Sequence, residues 1–125
     1  MTRTPRSDVQ RIADILDHLG SIQSVMRRGK QAFLDDPVAQ KAVAYDLMVI
    51  GEAASRISRR TQRANPKVPW RKLGEYRNDL IHEYATMDLS ETWAFYRDSL
   101  PGIDGQLRRA RVPPSDDATI ILRDE

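Results

Sequence analysis

Residues Asp8 to Met26 read DVQRIADILDHLGSIQSVM, and their spacing decides the fold class. Val9, Ile12, Leu16, Leu19, Ile22 and Met26 recur at intervals of three and four, which lays one apolar stripe along a helix. Ser7 with Gln10 has the form of a capping box just ahead of that stripe. Gly29 supplies a stop signal. The spacing predicts a first helix over about residues 8 to 28.

The same period continues down the chain. Gln31 to Leu34 can add a short turn. Asp36-Pro37 is a start signal, a capping carboxylate followed by proline at the first helical position. A second helix is predicted from Pro37 to about Arg63, with Val38, Ala42, Val43, Leu47, Ile50, Ala53, Ala54 and Ile57 on its apolar face. Gly51, Ala53 and Ala54 are small enough to admit another helix closely. Asn65-Pro66-Lys67-Val68-Pro69 breaks the pattern. A third helix is predicted from Trp70 to about Tyr84, with Leu73, Tyr76 or Arg77, Leu80 and Ile81 inward. Asp88 with Glu91 is a second capping-box candidate, and Leu89, Trp93, Tyr96 and Leu100 form the stripe of a fourth helix. Pro101-Gly102 should bend or interrupt it, with a further helical piece to about Ala110. No strand alternation and no internal repeat competes. The expected fold is an all-α, up-and-down bundle of four to five helices over residues 1–111. A flexible tail is expected over 112–125, although Ile120, Ile121 and Leu122 are apolar enough to dock on a partner.

Composition narrows the chemistry. The 125 residues contain no cysteine, so neither a disulfide framework nor a thiolate zinc site is possible. No stretch is apolar for long enough to span a bilayer, and the N-terminus lacks the apolar segment of a signal peptide, which makes a cytoplasmic protein the expectation. The formal net charge is +2, too small to imply nucleic-acid binding by itself. Arginine far outnumbers lysine, which suits a bidentate grip on phosphate but is equally what a GC-rich genome produces.

Residues Arg77 to Tyr84 read RNDLIHEY, the densest grouping of reactive side chains in the chain. An arginine can hold a phosphate, a histidine can move a proton and a tyrosine can accept a transferred group. On a helix Asn78 and His82 share a face, so the amide can fix the imidazole tautomer. Arg77 and His82 are about 140° apart around the axis. One helix does not stack them neatly, whereas two copies facing across a two-fold axis would bring them together. Cleavage of RNA by its own 2′-hydroxyl needs a base, an acid and a cation for the phosphorane charge. His82 fits the proton transfers and Arg77 the cation. The plain alternative is a helix end where His82 caps carbonyls, Arg77 pairs with Glu75 or Asp79, and Tyr84 packs.

Three other groupings bear on this segment. Arg56, Arg59, Arg60 and Arg63 recur at three- and four-residue spacing, either a basic stripe along an RNA backbone, with Arg56, Arg60 and Arg63 as its contacts, or a solvated helix end. Glu52 interrupts an apolar helix and can hold Arg77 as a supporting carboxylate or face solvent. His18 reads as a surface or boundary residue. No carboxylate–histidine set has metal-ligand spacing, and no cofactor-binding loop is present. Trp70 and Trp93 read as core anchors.

The chain resembles the HepT-like toxins of the HEPN superfamily. The R-x4-H-x-Y signature stands at Arg77, His82 and Tyr84. IGEAA at 50–54, VPW at 68–70 and the D-L-x-x-x-W run at 88–93 follow the family's pattern in its order, so the likeness covers about residues 8 to 107. The resemblance implies a HEPN-type helical bundle forming a homodimer, with a metal-independent endoribonuclease site in the dimer cleft. Arg77 and His82 would be its catalytic pair and Asn78 a helper. It further implies a type VII-like toxin–antitoxin pair, in which a cognate MntA-like nucleotidyltransferase neutralises the toxin by adding AMP to Tyr84. Glu83 departs from the family, where glycine is frequent, and sets an acid beside the site. A non-catalytic HEPN-type module that binds a nucleotide or nucleotidyltransferase is the alternative the same motif leaves open.

Overall fold

Ser7 closes the capping box that opens helix α1 (Asp8–Met26). Its hydroxyl accepts from the Gln10 N–H, and the Gln10 side chain accepts from the Ser7 N–H. Two otherwise unpaired donors are satisfied reciprocally. The computed structural model of the protein describes residues 6–83 and 87–114, and for 78–83 the main chain alone. Ile12, Ile15, Leu19, Ile22 and Met26 are the buried face of α1. Ile15 rather than Leu16 centres that face, and Val9, placed in the stripe by spacing, is 60% exposed. Gly29, at φ 104, turns the chain in a conformation open mainly to glycine. It leads into α2 (Lys30–Asp35), which buries Phe33.

The Asp36 carboxylate accepts from the Val38 N–H at 2.9 Å and starts α3 (Pro37–Ser55). This helix is the axis of the fold, packed most extensively on α5 and next on α1. Val43, Leu47, Ile50 and Ala54 are buried between those neighbours. Removing side chains of this size from water contributes about 1.5–3 kcal/mol each for the larger ones. Val38 and Ala42, assigned inward by spacing, are exposed.

The second predicted helix does not run through to Arg63. α3 ends at Ser55, and a separate α4 (Arg59–Ala64) starts at Ser58, whose hydroxyl accepts from the Thr61 N–H. Ile57, between them, is buried and keeps the apolar spacing intact across the break. Asp8 fixes this corner from α1. Its Oδ2 accepts from the Ser58 and Thr61 hydroxyls, each at 2.6 Å, and its Oδ1 from the Ser58 N–H at 3.2 Å.

Helix α5 (Trp70–Glu83) begins where the Trp70 indole N–H donates to the Asn65 carbonyl, and Leu73 is wholly buried one turn on. Asp88 accepts from the Glu91 N–H at the start of α6 (Leu89–Ala94). A π-turn over Phe95–Ser99 then passes directly into α7 (Leu100–Arg108). The Leu100 N–H bonds to the Phe95 carbonyl, five residues back. That widened turn admits Pro101, which has no N–H to give, so the expected interruption at Pro101-Gly102 is replaced by a π-turn just before it. Trp70 is buried as expected, whereas Trp93 is half-buried, tilted against Tyr96 at 5.1 Å. Tyr76 meets Phe95 edge-on at 5.5 Å and joins α5 to the π-turn.

Every described element is helical, which is the all-α bundle the spacing predicts. Among the described residues no helix is long and apolar enough to cross a membrane. The Asn65 amide pairs with both main-chain groups of Arg111, and Arg60 donates to the Pro114 carbonyl, so residues 111–114 lie along α4. The predicted tail beyond them, with Ile120 to Leu122, lies outside the described residues.

The Asp8 tie makes a pH-dependent prediction. Burial pushes the Asp8 carboxyl up, but the Ser58 and Thr61 hydrogen bonds outweigh it and hold the group below its ordinary 3.8. A depressed carboxylate adds stability above its unfolded pKa, and that stability disappears as pH falls through the folded value. Asp8→Asn should lower unfolding stability by about 1–2 kcal/mol at neutral pH. In denaturant titrations the difference from wild type should shrink below about pH 4. A difference that stays constant into strong acid would contradict the tie.

Candidate active site

Helices α3 and α5 come into backbone contact at Gly51. A Cβ there would stand 2.5 Å from the Arg77 nitrogen, 3.0 Å from the Leu73 carbonyl oxygen and 3.1 Å from the Arg77 Cα. Real side chains do not tolerate such distances to main-chain atoms, so glycine is what permits the approach. It presses the backbone of Arg77 against α3 and sends its side chain along the last turn of that helix.

There Arg77 Nη1 lies 3.3 Å from Glu52 Oε2 and 3.4 Å from Ser55 Oγ. Arg56, which caps α3, donates through Nε to the other Glu52 oxygen. Glu52 thus bridges two guanidinium groups. The pairing anticipated for Glu52 is present, but on the surface: its side chain is 44% exposed and that of Arg77 39%. Ion pairs this open add little stability, so the bridge acts by aiming Arg77. The hydrogen bond from Arg56, and then Arg77, holds the Glu52 carboxyl below its ordinary 4.5 against a smaller opposing effect of burial. It is therefore an anion, and an acceptor only, at neutral pH.

Arg77, Glu52 and Arg56 form one side of an open groove of about 440 Å³ whose far side is α1. Asn78 and His82 follow Arg77 on the main chain of α5, and their side chains lie outside the described residues, as does the whole of Tyr84. The arginine series is divided by the break between α3 and α4. Arg56 stays with the groove, Arg60 reaches the 111–114 segment, and Arg63 borders a second concavity with Trp70, Arg71 and Lys72. A single continuous stripe along one helix is therefore not what the structure presents.

Spacing did not find the partner of His18. Its Nδ1 is 2.7 Å from Asp46 Oδ1, joining α1 to α3, with Asp46 buried and the Tyr45 ring edge-on at 5.9 Å. A charged residue inside the apolar run of α3 was the available signal, since a buried carboxylate requires a donor. Among the described residues no group of three or more His, Asp or Glu side chains is arranged to hold a metal ion.

Comparison with known proteins identifies the family. The model of the "Ribonuclease HepT-like" family matches residues 15–110. A "Probable ribonuclease HepT" of Thermococcus cleftensis is 31% identical over 107 residues, covering 85% of this chain and 97% of its own. A "Putative RNase" of Caldanaerobacter subterraneus is 28% identical over 106 residues, covering 85% and 93%. Another "Putative RNase", of Methanocaldococcus jannaschii, is 31% identical over 99 residues, covering 78% and 82%. No solved structure matches the chain significantly.

Two glycine substitutions test the helix contact. Gly51→Ala must push α5 away from α3 and should cost about 1–3 kcal/mol in thermal or chemical unfolding. A Cβ at Gly74 would meet only Ser55 side-chain and main-chain atoms at ordinary distances of 3.6 Å or more. Gly74→Ala should therefore stay within about 1 kcal/mol of wild type, helped by alanine's better helix propensity. Equal tolerance of both would show that the close approach is absent in solution.

Proposed function

The chain belongs to the ribonuclease HepT-like family, and we propose on that footing that it cleaves RNA without a metal ion. The observation that carries the reading is the placement of Arg77: solvent-accessible, aimed by Glu52 and Ser55, and at the edge of a groove. A structural arginine would be expected to spend its donors inside the fold. This one is 39% exposed and bonds among the described residues through Nη1, so a phosphodiester can reach its guanidinium.

In the proposed reaction His82 takes the proton from a ribose 2′-hydroxyl. The 2′-oxygen attacks phosphorus, and the bond from phosphorus to the 5′-oxygen of the next nucleotide breaks. That leaving oxygen takes a proton from the acid. The products are a 2′,3′-cyclic phosphate and a 5′-hydroxyl. Arg77 balances the negative charge that builds on the phosphorane oxygens. Asn78, four residues from His82 on α5, orients the imidazole. Two copies of the chain form a homodimer in which each His82 can take one of the two proton transfers. Arg56 meets the RNA backbone at the groove, and Arg60 and Arg63, on the separate helix α4, offer contacts beyond it.

In the cell the chain acts as the toxin of a pair, in the cytoplasm, with an MntA-like nucleotidyltransferase as its antitoxin. Control is by transfer of AMP to Tyr84. The phenol oxygen attacks the α-phosphorus of ATP, pyrophosphate leaves, and the phenol proton is lost. The added phosphate sets a negative charge seven residues from Arg77, which repels RNA and competes for the guanidinium.

Induced expression should arrest growth with wild-type protein, while His82→Ala and Arg77→Ala should be harmless at equal protein levels. Equal tolerance of all three would favour a binding module instead of an enzyme. Incubation with the nucleotidyltransferase and ATP should add the mass of AMP to wild type and not to Tyr84→Phe. Addition to the phenylalanine variant would remove that assignment.

A further inference from the structure

We propose that the groove beside Arg77 is a nucleotide subsite, holding one unpaired nucleotide of the RNA strand next to the scissile phosphate. This rests on the ribonuclease reading and adds to it where the strand lies and what holds it. Its volume, about 440 Å³, is within the range of small-ligand clefts. Met48, Val49 and Ala53 of α3 line it with apolar side chains, and Arg6, just ahead of α1, and Arg11 of α1 line it together with Arg56 and Arg77. Among the described lining residues two carboxylates, Asp14 and Glu52, stand against those four cations.

The walls are organised. Arg6 is held by a bidentate pair to Asp14, with both contacts at 2.8 Å. Arg11 donates through Nη1 to the main-chain carbonyl of Arg6, and its charge is also felt by the Asp8 carboxylate. Glu52 holds Arg56 and Arg77. Two braced guanidinium pairs thus line the groove beside its apolar side chains. Bases of single-stranded RNA stack on guanidinium planes and lay their faces on apolar side chains, while the flanking phosphates take the charge. This serves base binding in a chain whose basic segments carry no interleaved aromatic rings.

The test is fluorescence anisotropy with a labelled 2′-O-methyl single-stranded RNA oligonucleotide, which binds without being cleaved. Arg11→Ala should weaken affinity about five- to tenfold and reduce the magnitude of the slope of log K against log salt by about 0.7. Val49→Glu, which puts a carboxylate in the groove, should weaken it more than tenfold. Arg28→Ala, in the turn after α1, should bind as wild type. Unchanged binding in both groove variants overturns the subsite, as does a change in sedimentation with RNA affinity retained, which would assign the groove to a protein interface. Failure of the ribonuclease reading looks different: the wild type itself would neither bind this probe nor cut unmodified RNA.

Discussion

The structure depends on two backbones meeting at Gly51. Where α3 touches the α5 main chain there is no room for a methyl group, and the residue pressed into that contact is Arg77. A flexible side chain on a loosely packed helix would sample many positions. Here its root is fixed by main-chain contact, and its tip is fixed by Glu52 and Ser55. Rigid support beneath a charged group is what a phosphate site requires, since an error of an ångström costs rate. The buried neighbours, Leu73 and Ala54, serve the same end by keeping α5 in register on α3.

Electrostatics divides the surface in an orderly way. Glu52 is shared by Arg56 and Arg77, so neither guanidinium is fully neutralised. Asp14 is committed to Arg6. Among its described lining residues the groove carries four guanidinium groups against two carboxylates, in a chain whose formal net charge is only +2. A small total with a local surplus is sufficient to attract a polyanion at close range, because salt screens charges more than about 8–10 Å away.

Much of the fold was legible because local signals agreed with one another. Ser7 with Gln10, Asp36 with Pro37, and Asp88 ahead of Leu89 all start helices where the spacing says they should. The misreadings share a cause. Ile57 continues the apolar period across the break, so the Ser58 cap, lacking a Glu or Gln three residues on, was read as helix interior. Pro101 was read as a break because its missing N–H is visible in sequence and the π-turn that accommodates it is not. Of the candidate site, the pairing of Arg77 with Glu52 was anticipated and its exposure was not. Contacts between distant residues, Asp8 with Thr61 and His18 with Asp46, have no local period to betray them.

The central claim is that Arg77, so placed, serves cleavage of RNA by its own 2′-hydroxyl. End-group analysis of RNA cut by the purified protein in excess EDTA addresses it most directly. The account predicts 2′,3′-cyclic phosphate and 5′-hydroxyl ends, formed at an undiminished rate. Ends bearing 5′-phosphate and 3′-hydroxyl, formed only when a divalent ion is restored, would contradict it.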